Sequence, residues 1–215
     1  SGSKDGSHEI SLLRAWFTGK STCRNSTVWG CPVDYDARML AKWMAMGVAA
    51  VLSGGSALAQ VETDIKTGGT VVSALIMGEG DHVVIALHGG GGTDRHFFFL
   101  GQGGQMGRRL ANAGFRVIAV NWSGQGGGGF SEVDAAIAHA RETGARKVSL
   151  MGHSRGGELA ASYARRQADG VLDTVIQFSS ADDRGLPMAK TKKLFAFNKH
   201  DPVASWQSAA FDKSA

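Results

Sequence analysis

Lys147-Val148-Ser149-Leu150-Met151-Gly152-His153-Ser154-Arg155-Gly156 is the stretch that decides the fold. The apolar run 147–151 reads as a strand and the alanine-rich segment beyond Gly156 as a helix, so Ser154 stands at the corner between them. Glycines two before and two after the serine leave room for a sharp, strained turn that lifts Ser154 Oγ out of the sheet toward a substrate. The pattern alone is weak: with 31 Gly among 215 residues, about 0.4 chance matches are expected. Its surroundings have to carry the reading.

Those surroundings alternate short β-rich runs with helical ones from Gln60 onward, which argues for an α/β sheet of mostly parallel strands with helices on both faces. Residues 61–66 and 70–77, separated by Thr67-Gly68-Gly69, read as an antiparallel hairpin at the sheet edge. Residues 82–87 form a continuous apolar run of the kind buried on both faces, ending in His88-Gly89-Gly90-Gly91-Gly92. Met106, Leu110 and Ala113 fall at helical spacing, and a strand is expected over 116–120. Ser131 is placed to cap a helix carrying Val133, Ala136, Ile137 and Ala140 on one face. A helix over 158–167, strands over 172–178 and 194–198, and a helix from Ala204 complete the alternation.

Composition excludes several classes of function. From Gln60 onward 17 Lys and Arg face 15 Asp and Glu, too even a balance to argue for nucleic acid. Both cysteines, Cys23 and Cys31, lie in the first 38 residues, leaving the expected folded body without a thiol for catalysis, a disulfide or a thiolate metal site. No His/Asp/Glu group shows metal-ligand spacing, so neither a metal nor a cofactor is expected.

The N-terminal region reads differently from the rest. Residues 39–59 combine a lysine, the apolar run 43–52 and Ala57-Leu58-Ala59, the layout of a bacterial secretory signal peptide, and the apolar run is too short for a stable membrane anchor. Periplasmic or secreted localisation is the expectation. Residues 1–38 read as an upstream extension or vector-derived sequence, and 60–215 as the folded domain.

A serine that attacks a carbonyl needs a base to take its proton, an acid to orient the base, and donors for the oxyanion. Ser154 is the candidate nucleophile. The Arg155 backbone N–H, at the start of the following helix, is one candidate donor, and Gly90 or Gly91 in the loop after residues 82–87 supplies the other. Asp201, just past the strand expected at 194–198, is the candidate acid, with Asp182 or Asp183 competing and a plain turn or helix-capping role open to all three. Phe97, Phe98, Phe99, Trp122 and Phe130 either line an acyl pocket or pack in the core.

Over about residues 61–215 the chain resembles the α/β-hydrolase family, in its short, lidless form close to dienelactone-hydrolase-like and small bacterial esterase domains. The resemblance rests on His88-Gly89-Gly90-Gly91, Gly152-His153-Ser154-Arg155-Gly156 and Asp201, in that order. It implies a twisted sheet of about eight strands, hydrolysis of small-molecule esters or related acyl compounds, and no cofactor. In the family a catalytic histidine follows the acid, whereas here none follows Asp201. The expectation is therefore a chain lacking the final strand, the base and the last helix, with a catalytically inactive ligand-binding protein as the alternative. His200 adjoins Asp201 and His153 lies in the corner itself; His88 reads as ordering its own glycine loop.

Overall fold

The computed structural model describes residues 59–90, 105–123, 128–197 and 200–214. The expected signal peptide apart from Ala59, the upstream residues 1–38, Gly91 and Phe97 to Phe99 lie outside them.

Seven strands among the described residues form one sheet in the order β1-β2-β4-β3-β5-β6-β7. The N-terminal hairpin pairs β1 (Gln60–Thr67) with β2 (Thr70–Met77) antiparallel at the edge, and β2 is antiparallel to β4 (Arg116–Val120). From β4 the sheet runs parallel through β3 (His82–Leu87), β5 (Lys147–His153), β6 (Thr174–Phe178) and β7 (Lys192–Ala196). The strands at 82–87 and 116–120 begin and end where their apolar runs do. In β3, Val83 to Leu87 are all fully buried because both sheet faces are covered. Each such side chain contributes about 1.5–3 kcal/mol, and Ile85→Ala would cost roughly 2–5 kcal/mol through the cavity it leaves.

Each face of the sheet packs against helices. On one side Ile65, Val72, Val83, Ile85, Leu87, Ile118 and Val120 meet α2 (Phe130–Glu142) through Val133, Ala136 and Ala140, and α3 (Arg155–Ala164) through Leu159, Ala160 and Ala164. On the other, Leu75, Val84, Ala86, Val117, Ala119, Met151 and Ile176 meet Leu110 and Ala111 of α1 (Gln105–Asn112). A fourth helix, α4 (Ala204–Asp212), sets Phe211 edge-on to Phe195 of β7 with ring centroids 6.0 Å apart. The alanines of α3 let it approach the sheet closely.

Four local expectations shift. The helix expected from residue 158 starts at Arg155, directly after Ser154, because its first turn is held by tertiary contacts that propensity does not register. The N-cap of α2 is Gly129, at φ 101°, and Ser131 lies inside the helix with its hydroxyl on the Glu132 carboxylate. Strand β6 begins at Thr174 rather than 172, since Asp173 lies before it and accepts the Val148 N–H through its carboxylate. Strand β7 ends at Ala196 and includes Lys192 and Lys193, since its extent is set by pairing with β6 rather than by its own hydropathy.

The parallel strands β3, β5, β6 and β7 end on the same side of the sheet, followed by His88, Ser154, Ser179 and the Asp201 turn respectively. Loops from separated parts of the sequence therefore converge beyond the carboxyl ends of the strands, where open α/β sheets bind their ligands.

Candidate active site

Ser154 holds φ 51° and ψ −121°, a sparsely populated conformation for a residue with a Cβ. The corner is over-determined. Ser154 N donates to Phe178 O at 2.8 Å, while Ser154 O accepts from Gly157 N at 2.9 Å and Glu158 N at 3.1 Å, so the serine ends β5 and starts α3 at once. Its hydroxyl makes no capping hydrogen bond to that helix.

The flanking glycines are required by space. A Cβ on Gly152 would fall 2.1 Å from Gly156 O, and one on Gly156 would fall 2.2 Å from Leu87 O and 2.5 Å from His88 O. A side chain on Gly157 would meet Ser180 Cβ at 2.8 Å. The corner is thus packed backbone to backbone, which a chance Gly-x-Ser-x-Gly match would not produce.

The loop after β3 lies against this corner. A Cβ on Gly89 would sit 3.1 Å from His153 Nδ1 and 3.5 Å from Ser154 Cβ, and one on Gly90 would sit 2.5 Å from Arg155 Cδ. Gly90, Ser154 and Arg155 are therefore brought together. The start of the loop is ordered by His88, whose buried ring donates from Nδ1 to Gly89 O at 2.7 Å and stacks on Trp122 at 5.6 Å. Trp122 Nε1 in turn donates to His88 O at 3.0 Å, so Trp122 belongs to the support of the loop. Phe130 stacks on Tyr163 with centroids 6.1 Å apart beneath the Arg166 guanidinium, at the start of α2.

The competing acids separate clearly. Asp182 is buried and held by Arg165 Nη1 at 2.7 Å and Arg184 Nε at 2.9 Å. Burial alone would raise its pKa, but the hydrogen bonds from Arg184 and Arg165 outweigh this and hold it below the usual carboxylate range. Oδ2 ties the β6–β7 connection to Arg165 at the end of α3, and Oδ1 holds Arg184 within that connection. Asp183 is half exposed, 3.8 Å from Lys213 Nζ. Asp201 accepts from Val203 N at 3.1 Å through Oδ1 and turns the chain into α4. Its charge also acts on His153: burial lowers the His153 pKa and Asp201 partly opposes that fall. The residue expected as acid and the histidine of the corner thus lie within electrostatic reach of each other.

Sequence reasoning missed Gln177 and Ser179. Gln177 is buried in β6 and donates from Nε2 to Gly157 O at 3.1 Å, anchoring the first turn of α3 from the neighbouring strand. The signal was available: a glutamine inside the apolar run Thr174-Val175-Ile176-Gln177-Phe178 needs a polar reason to be there. Ser179, beside the corner, has φ 46° and donates its N–H to Ala196 O at 2.9 Å; no local pattern announces that strain.

Comparison with known proteins agrees with this architecture. The model of the alpha/beta hydrolase family matches residues 83–212. No curated protein matches the sequence. Among solved structures, a dienelactone hydrolase from Anabaena variabilis superposes with a TM-score of 0.57 at 17% identity, over 74% of this chain and 82% of that one. A bacterial heroin esterase gives 0.47 at 22% identity over 72% of this chain and 56% of that one. An esterase from Exiguobacterium antarcticum gives 0.45 at 23% identity over 57% of this chain. The chain spans about half the length of these two esterases, 56% and 47%. At such identities the likeness is one of fold.

Proposed function

The chain belongs to the alpha/beta hydrolase family, and from that premise we propose that it is a serine hydrolase that cleaves carboxylic esters of small or medium acyl chains through an acyl-Ser154 intermediate. The observation that carries the proposal is Ser154 itself, strained at φ 51° and set against the Gly89–Gly90 loop with its hydroxyl uncommitted to capping.

Ser154 Oγ attacks the ester carbonyl carbon as its proton passes to a base. The carbonyl oxygen becomes an oxyanion held by the Arg155 N–H at the start of α3 and by an N–H of the Gly90 or Gly91 loop. Collapse of this adduct expels the alcohol, which takes up the proton, and water then releases the acid from the acyl-serine. Asp201 is the carboxylate assigned to orient the base. No histidine follows it in the sequence, and His153 and His200 are those adjoining the nucleophile and the acid.

A fluorophosphonate probe tests this directly. Labelling that disappears in Ser154→Ala is expected, and its loss in His153→Gln or His200→Gln would identify the base. Folded protein that is not labelled would overturn the hydrolase reading in favour of a ligand-binding protein with this fold.

A further inference from the structure

The chemistry at Ser154 makes no use of the leader-like run that ends at Ala57-Leu58-Ala59, with Gln60 next. A small residue directly before a bond and another two positions earlier, after a short apolar run, are what a leader-removing peptidase cuts behind. The bond so marked is the one between Ala59 and Gln60. In the fold Ala59 is exposed and outside any strand, and β1 begins at Gln60, so the marked bond coincides with the start of the sheet.

Register shows what a cut at that bond costs the sheet. Asn121 N donates to Ser73 O at 2.9 Å, so Ser73 turns its carbonyl toward β4. Residues of an antiparallel strand alternate in the side to which their backbone groups point, which turns Leu75 and Met77 toward β4 as well, and Ala74 and Ile76 toward β1. Met77 is the partner of Gln60, and Ile76 that of Val61. The Gln60–Met77 pair is therefore a non-hydrogen-bonded one, and the ladder starts at Val61. The Gln60 nitrogen faces outward, since β1 is the outermost strand on its side of the sheet. Cutting before Gln60 thus removes no rung of the β1–β2 ladder, and the amine that it frees stands at the sheet edge.

A free amine on glutamine has a reactive partner in its own side chain. Attack of the nitrogen on Cδ closes a pyrrolidone ring: the N–Cδ bond forms, the Cδ–Nε2 bond breaks, and the amide nitrogen leaves as ammonia with a proton taken from the amine. The Gln60 side chain is held by the oxygen, since Arg108 Nη2 of α1 donates to Gln60 Oε1 at 3.2 Å. That donor meets the atom on which negative charge gathers as the nitrogen attacks. The oxygen stays in the product and only the nitrogen is lost. A chain closed in this way has no α-amine for an aminopeptidase to engage.

We propose that Gln60 is a modification site: the chain is cut between Ala59 and Gln60 on export, water adding across that peptide bond under a leader-removing peptidase, and Gln60 then closes to pyroglutamate with Arg108 on its amide oxygen. The modification is independent of the reaction at Ser154.

The full chain, and beside it a chain starting at Met39, are expressed in a bacterium, and protein recovered from the periplasm and the medium is read by intact mass and by sequencing of its N-terminal peptide. From either form a species is expected that begins at residue 60, is lighter by one ammonia than the free-amine chain and resists stepwise degradation from its N-terminus. Gln60→Ala should be cut at the same bond and read alanine first. Arg108→Ala should close the ring more slowly, by about threefold to tenfold. No species beginning at residue 60 from either form, a cut at another bond, or a chain beginning at Gln60 whose amine persists would overturn the proposal; ring closure as fast in Arg108→Ala as in the parent would overturn the part given to the guanidinium.

Discussion

Gly156 lies so close to Leu87 that a Cβ on the glycine would sit 2.2 Å from the leucine carbonyl oxygen. This contact seats the first turn of α3 on the end of β3, and through it fixes the distance between Ser154 and the loop that begins at His88. The Leu87 carbonyl cannot retreat without disturbing the parallel pairing of β3 with β5. Gly156→Ala is therefore expected to lose about 3 kcal/mol or more and to abolish Ser154 labelling. Urea denaturation read beside probe labelling checks both; an unchanged midpoint with full labelling would contradict the packing described.

The strain at Ser154 gives a second expectation. At φ 51° a glycine rests more easily than any residue with a Cβ. Ser154→Gly should be more stable than Ser154→Ala by about 1 kcal/mol, while neither variant is labelled. Equal melting temperatures for the two would show that the corner is relaxed.

Asp182 and Asp201 should part company on mutation. Asp182→Asn leaves Arg165 facing a buried site without its counter-charge, at a cost of about 3 kcal/mol. Because its folded pKa is depressed, the contribution of Asp182 is present above the unfolded carboxylate pKa and is lost as pH falls through the folded value. The parent should lose stability with acidification across that window and the Asn variant should not lose this part. Labelling per folded molecule should survive in Asp182→Asn. If it vanished in protein that remains folded, the assignment of Asp182 as structural would be wrong.

Asp201→Asn carries the complementary expectation. Burial lowers the His153 pKa and the Asp201 carboxylate holds part of it up. Removing that charge should drop the His153 midpoint further, read by NMR titration of the imidazole. A midpoint that rises or stays would mean that the carboxylate and the ring do not face each other.

Tyr163 predicts an alkaline limit. Burial, with the hydrogen bond to Asp134 Oδ1 at 2.5 Å added, raises its pKa well above the ordinary phenol value. A group with a raised folded pKa gives stability that is complete below its unfolded pKa and is lost as pH climbs toward the folded one. Stability should therefore decline above about pH 10, and less steeply in Tyr163→Phe. Parallel pH profiles for the two would argue against it.

Much of the frame is legible in the order of residues alone. The hairpin at 60–77, the buried strand at 82–87 and the strand at 116–120 lie where the periodicity puts them, because each is bounded by its own glycines, charges and apolar runs. The corner at Ser154 is legible as a strand, a serine between glycines and a helix. What no window of sequence holds is the capping of α2 by Gly129 or the extent of β7, each of which depends on a partner distant in the chain.

The α/β class, the order of the elements and the candidacy of Ser154 follow from residue order alone, since hydrophobic period, turn glycines and spacing are properties of neighbouring residues. Folding in three dimensions is what locks Asp182 between two arginines, brings the charge of Asp201 to bear on His153 and lets Gln177 anchor α3. Those relations arise when strands pair across long separations, and the through-space distance that sets an ion pair or a backbone contact does not exist until the sheet has closed.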